Sequence, residues 1–296
     1  MLGELKRSPA VVNLVQVPGA SIKPPGDLVL CDVPREEVSV VVDQLLRLGL
    51  ETAGSISIDE VDSTISAAAT RATAVARGAP ADAVVWEEVE AHTSESAELS
   101  FSFIAFMVLA TLIAAVGILT DSQILIIGAM VVGPEFGPLA GLCVALVERR
   151  LDFARRSATA LVVGFPIAIA ITLLVVLILR AAGPAPDAIA AQGRPATFFI
   201  AHPGTFSVLV ALLAGVAGLL SLTTAKSGAL LGVLISVTTI PAAANVGVAT
   251  AYADWSEFRG ALAQLCINLT CIVLGGVATL AVQRQGFLRR LRRAAL

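Results

Sequence analysis

Gly133-Pro134-Glu135-Phe136-Gly137-Pro138 stands inside a long apolar run, where a lipid environment would favour an unbroken helix. A helical proline removes the bond to the carbonyl four residues back, at a cost of about 3 kcal/mol. Pro134 is therefore expected to strip the carbonyl of Met130, and Pro138 that of Pro134. A carboxylate at mid-bilayer adds about 3 kcal/mol on insertion scales, and such groups face a bundle interior or a cavity. Glu135 between two prolines thus reads as a proton- or cation-handling group beside bared backbone. Its conservative alternative is a buried structural acid bonded to freed amides.

A second interruption lies about one hundred residues on. Thr238, Thr239 and Pro241 sit within another apolar run, with Asn245 further along it and Asn268 in the run after that. Overlaid at an offset of 104 residues, Thr120-Asp121-Ser122 falls on Thr224-Ala225-Lys226, and Gly137-Pro138-Leu139-Ala140 falls near Ile240-Pro241-Ala242-Ala243 with a slip of one. Three spans per half would make the second half inverted, and paired Gly/Pro-interrupted segments in inverted halves point to a transporter site. Carbonyls and a carboxylate suit a cation or proton, and helix N-termini suit an anion; the residues leave both open. The pathway candidates are Gly133, Pro134, Glu135, Gly137, Pro138, Thr238, Thr239, Pro241, Asn245 and Asn268, with Asp121 and Lys226 in turns as possible gates. The plainer reading of the last two is capping or solvation.

These residues need elements to hold them, and composition says which. The chain has 296 residues, 56% hydrophobic, with mean hydropathy +0.86, far above a soluble average. Most acidic groups precede residue 99, which predicts a cytoplasmic α/β domain over 1–80, an acidic helical linker over 81–98, a transmembrane domain over 99–283 and a basic tail over 284–296. Six runs approach the length of about 20 residues that a bilayer core requires: 101–119, 123–147, 158–180, 206–221, 229–252 and 261–282. Pro166 in the third reads as an ordinary kink. In the head, strands are expected over 11–17, 28–33 and 55–61 and helices over 35–50 and 64–77, a ferredoxin-like arrangement. The segment 181–205 is expected to carry a short surface helix or re-entrant piece around Phe198-Phe199-Ile200.

Arg149, Arg150, Arg155 and Arg156 follow the second run, and Arg284, Arg289, Arg290, Arg292 and Arg293 close the chain. Alternate loops hold only Arg180, Arg194 and Arg259. Positive charge stays inside, so a multi-pass protein of the bacterial plasma (inner) membrane is expected, with both termini cytoplasmic and no signal peptide.

The formal charge of −3 offers no basic footprint for nucleic acid. His92 and His202 have no partners at metal-ligand spacing, and Cys31, Cys143, Cys266 and Cys271 are scattered. No nucleophile turn or phosphate-cradling loop appears, so neither an enzyme nor a cofactor or metal is expected. The glycines at 128, 133, 137, 141, 215, 218, 275 and 276 suit close helix packing and homo-oligomerisation. The expected partners are the bilayer and a small ion or polar solute. Two functions follow: a transporter or channel with its site at the broken helices, or a non-transporting sensor or scaffold whose head binds a ligand or partner.

The run Thr120-Asp121-Ser122-Gln123-Ile124-Leu125-Ile126-Ile127-Gly128-Ala129-Met130-Val131-Val132-Gly133-Pro134-Glu135-Phe136-Gly137-Pro138 resembles the signature of an uncharacterised hydrophobic-domain bacterial membrane protein family, domain of unknown function 389. The likeness extends over most of 99–282, including Ile240-Pro241 and Ile267-Asn268-Leu269. It implies an N-terminal soluble segment followed by several spans around a Gly-Ala-Met…Pro…Gly-Pro core, and leaves activity open. Where the family pattern has Leu-Met, this chain has Glu135-Phe136, so the resemblance implies no family-wide role for Glu135.

Overall fold

A computed structural model describes residues 1–59, 61, 64–76, 84–185, 195–224 and 238–294. It divides into two compact units, one built mainly on Met1–Val89 and the other on the described residues between Glu90 and Phe287.

The first unit begins with a short helix α1 (Leu2–Arg7) and an antiparallel hairpin of β1 (Val12–Ile22) and β2 (Pro25–Asp32), registered through Val15–Leu30 and Val17–Leu28. Near its tip Asp27 accepts hydrogen bonds from the Gly19 amide (2.9 Å) and the Gln16 side chain (2.8 Å). Those bonds, the Gly19 one first, hold its carboxyl below the usual range. A bare hairpin is marginal in water, and helix α2 (Val38–Arg47) supplies the missing core. Leu5, Val41 and Leu45 form a buried cluster against Leu14, Val29 and Cys31. Two short helices follow, α3 (Leu50–Ala53) and α4 (Ala67–Val75).

The third expected strand is absent: the described residues of 55–61 form none, and the sheet has two strands. The alternation there is only Ile56 and Ile58 long. Ile56 is spent on the Leu5–Val41–Leu45 cluster instead of a ladder, so the ferredoxin-like expectation gives way to a helix-backed hairpin.

Helix α5 (Trp86–Ser96) lies within the stretch 81–98 where an acidic helical linker is expected. Its start is clamped: Ser39 Oγ donates to Glu87 (2.6 Å) and accepts from the Trp86 amide (3.1 Å), and Arg35 pairs with Glu88 at 3.0 Å. It does not run into the first span. Ser100 caps helix α6 (Phe101–Leu119) afresh by accepting from the Phe103 amide at 3.1 Å.

In the second unit the expected run 123–147 is two helices, α7 (Gln123–Val132) and α8 (Phe136–Glu148), bent by 50°. Helix α9 (Leu151–Ala182) carries Pro166 inside it and continues through. After a 3-10 turn at Phe198–Ala201 come α10 (Thr205–Thr223), α11 (Thr239–Ala251) and α12 (Trp255–Ala294). Among the described residues, helices α6, α9, α10 and α12 are each long and apolar enough to cross a bilayer, and the bent α7–α8 pair, taken as one span, makes five. The first part of the run 229–252 lies outside the described residues, as do Lys226 and Arg194. At 1.5 Å per residue, the 13 residues of α11 reach only about 20 Å of a core about 30 Å thick.

Helix α11 sits at the centre: every residue except Thr250 is buried. Its Pro-Ala-Ala-Ala-Asn-Val-Gly sequence explains this, because small side chains let α6, α7 and α9 approach closely. At Gly247 a Cβ would lie 3.0 Å from the Ile169 carbonyl oxygen. Phe101, Ile124, Val162, Phe206 and Val282 lie outside, each more than two-thirds exposed; such an apolar exterior suits lipid.

Candidate functional site

Gly133 ends α7 in an extended conformation and Pro134, which has no amide hydrogen to extend the ladder, stops it. Glu135 follows at the N-cap of α8. The residue is 5% exposed, and its side chain turns to the start of α11, where Oε1 accepts from the Thr239 hydroxyl at 2.6 Å. Among the described residues, Oε2 is buried without a partner. The carboxylate therefore lies at the first turns of two helices, whose N-termini each carry about half a positive charge. Gly133 makes the room, since a Cβ there would collide with Oε2 and lie 2.6 Å from Ile240 Cγ1.

The prolines act differently from the expectation. Pro138 and Pro241 are each the third residue of their helices, where no intrahelical acceptor exists and a missing amide costs little. They open α8 and α11 rather than break them. Pro134 alone interrupts, and the carbonyl of Val237, which Pro241 was expected to free, lies outside the described residues.

Thr238, just before α11, faces α12. Its hydroxyl oxygen accepts from Asn268 Nδ2 (3.0 Å) and Gln264 Nε2 (3.2 Å), and Gln264 Nε2 also reaches Asn268 Oδ1 (3.1 Å). Gln264 and Asn268 are 3% and 2% exposed, and Gln264 Oε1 has no partner among the described residues. This triad borders a recess of about 230 Å³ whose other walls include Ser207, Ala211 and Phe206.

Asn245 stands apart: its Nδ2 donates to Glu257 at 2.9 Å on α12. Asp121 is a clasp: in a left-handed turn (φ 49°) it accepts from the Thr197 hydroxyl (2.9 Å) and the Ala196 amide (3.3 Å). Gly137 lies in the first turn of α8.

Several contributors escaped sequence reasoning. Gln264 is one turn before Asn268, so a polar pair at i, i+4 in an apolar run was a readable signal. Arg180 donates to the Ala251 carbonyl at the end of α11 and stacks on Tyr252 at 4.2 Å, while Arg284 donates to the Val147 carbonyl near the end of α8. As loop and tail charges they looked like topology signals only.

Residues 130–274 match the family described as Domain of unknown function (DUF389). The chain is also similar to "Uncharacterized protein MJ0678" of Methanocaldococcus jannaschii, 25% identical over 194 residues that make up 66% of this chain and 58% of that protein. The match thus spans less than two thirds of the relative's length. No solved structure matches the chain. Glu135, Thr238, Thr239, Gln264 and Asn268 all lie within residues 130–274, so the candidate site falls inside the stretch, just under half of the chain, that matches the DUF389 family.

Proposed function

We propose that this protein is a membrane transporter or channel for a small ion or polar solute, with its site where α8 and α11 begin. One observation carries the reading. Glu135 is buried between two helix starts, with one oxygen bonded to Thr239 and the other bare among the described residues. A bare acceptor in an apolar interior is costly, and a proton, cation or water supplied to it would offset that cost.

Contacts that recur at an offset of 104 residues support the reading, as an inverted repeat would produce them. Arg180 reaches Ala251, and Arg284 reaches Val147; each residue of one pair is 104 positions from its counterpart in the other. Arg149 and Ala253 both take left-handed conformations after α8 and α11 (φ 61° and 57°). The next amides, of Arg150 and Asp254, then bond to the carbonyls of Ala145 and Ala249, both at 2.9 Å. Cys143 Sγ reaches the Val273 carbonyl at 3.6 Å, and its counterpart Gly247 faces the Ile169 carbonyl, the counterpart of Val273. Such reciprocal contacts are what a two-fold relation between halves generates. Glu135 and Thr239, themselves 104 apart, then touch across the axis, where inverted-repeat transporters bind their substrates.

Purified protein in liposomes tests this. Wild type should carry protons, alkali cations or small polar solutes above the rate of empty vesicles, and Glu135→Gln should lower that flux at least tenfold. Equal flux in both would remove Glu135 from the mechanism. The sensor or scaffold reading rests on a pocket of about 470 Å³ in the first unit, walled by Val38, Val41, Val42 and Leu45 with Arg35 and Glu88 at its edge. Vesicles that stay sealed to every solute would favour it.

A further inference from the structure

The two halves differ in how one helix contact is packed. Phe103 and Met107 on α6 fill the space over Gly164 on α9, with Phe103 Cε1 only 2.7 Å from where a Gly164 Cβ would stand. Both side chains are buried, Met107 completely. At the offset of 104, Phe103 becomes Ser207, Met107 becomes Ala211, Ala160 becomes Gln264, Gly164 becomes Asn268 and Pro134 becomes Thr238. All of the second-half residues border the 230 Å³ recess. A plugged apolar contact in one half is a polar hollow in the other.

The hydrogen bonds already made there define what can enter. Thr238 Oγ1 accepts two amide bonds, so its own O–H remains to donate. Ser207 Oγ accepts from the Gly204 amide at 3.3 Å, and its O–H is likewise left to donate. None of the described lining residues is ionisable, so among them a full charge inside would find no counter-charge. Phe199 and Phe206 offer apolar faces. At about 30 Å³ per water the volume holds several waters or one compact solute.

We propose that this recess is a binding subsite for a small uncharged solute that presents a hydrogen-bond acceptor, of the amide or urea class. Ser207 and Thr238 donate to it, and Gln264 with Asn268 positions the Thr238 hydroxyl. The assignment rests on the transport reading and narrows it to neutral cargo.

The test uses the full chain with its four native cysteines replaced and Ser207→Cys introduced. Uncharged methyl methanethiosulfonate should label Cys at that position at least tenfold faster than cationic or anionic analogues, and acetamide or urea should slow the reaction. Equal rates for charged reagents, absence of protection, or absence of labelling would overturn the proposal. A second variant, Ser207→Phe, Ala211→Met, Gln264→Ala and Asn268→Gly, copies packing that the first half already uses, and its folding is read from a monodisperse size-exclusion profile. It should abolish acetamide entry into proteoliposomes. Acetamide flux equal to wild type in this folded variant would remove the recess but keep the transport reading. Protection by acetamide without flux in wild type would keep the recess and remove the transport reading.

Discussion

A buried carboxylate with one oxygen satisfied and one bare is a residue-scale cost that a purely structural role would have removed, for instance by an amide in its place. Glu135 keeps that arrangement because Gly133 withholds a Cβ from the space its Oε2 occupies. Gly133→Ala should therefore be harmful although the substitution favours helix formation. The added Cβ, 2.6 Å from Ile240 Cγ1, should cost about 1–3 kcal/mol as overpacking, read as a lowered thermal midpoint in detergent. Gly128→Ala, where nothing lies within 4 Å, is the control and should be neutral or slightly stabilising. At this scale the sequence was informative wherever polarity interrupted an apolar run: Glu135, Thr238, Thr239 and Asn268 stood out for that reason and lie at or beside the junction. Ser207 could not be read the same way. A serine near the start of an apolar run is ordinary, and its importance comes from the bulk of Phe103 at the matching position.

At the scale of elements, two short helices, α8 and α11, are each held at the far end by an arginine from a long helix. Arg180 ties off α11 and Arg284 ties off α8, satisfying carbonyls that a helix C-terminus leaves unpaired. Arg180→Ala and Arg284→Ala should each cost about 1.5–3 kcal/mol, the worth of a bond from a charged donor. The two losses should be additive and similar in thermal unfolding, with Arg180 the larger by the worth of its stacking on Tyr252. Losses that differ severalfold would argue against equivalent roles. Element ends were legible where a cap stood at the edge of a hydrophobic run: α6 spans 101–119 as expected, behind Ser100. Proline position was not legible to the same depth, because Pro138 and Pro241 look identical in sequence whether they break a helix or begin one. The third head strand failed for a related reason, since two alternating isoleucines fit a strand and a loop equally well.

For the whole molecule, the apolar exterior of four long helices and one bent pair, around an alanine-rich centre, fits a protein immersed in lipid. A scaffold alone would not require a polar seam through that centre, yet Glu135–Thr239 and Thr238–Gln264–Asn268 lie on the two faces of one helix start. The composition shift at residue 99 was visible in the sequence; the seam was only half visible, because Glu135 and Thr239 meet from spans 104 residues apart. The central claim is that this seam is a wet or occupied site. Experimental density for the protein in a lipid nanodisc, resolved well enough to see ordered water, tests it most directly. The account predicts a non-protein peak within hydrogen-bond distance of Glu135 Oε2. A dry junction, with that oxygen sealed by side chains alone, would contradict it.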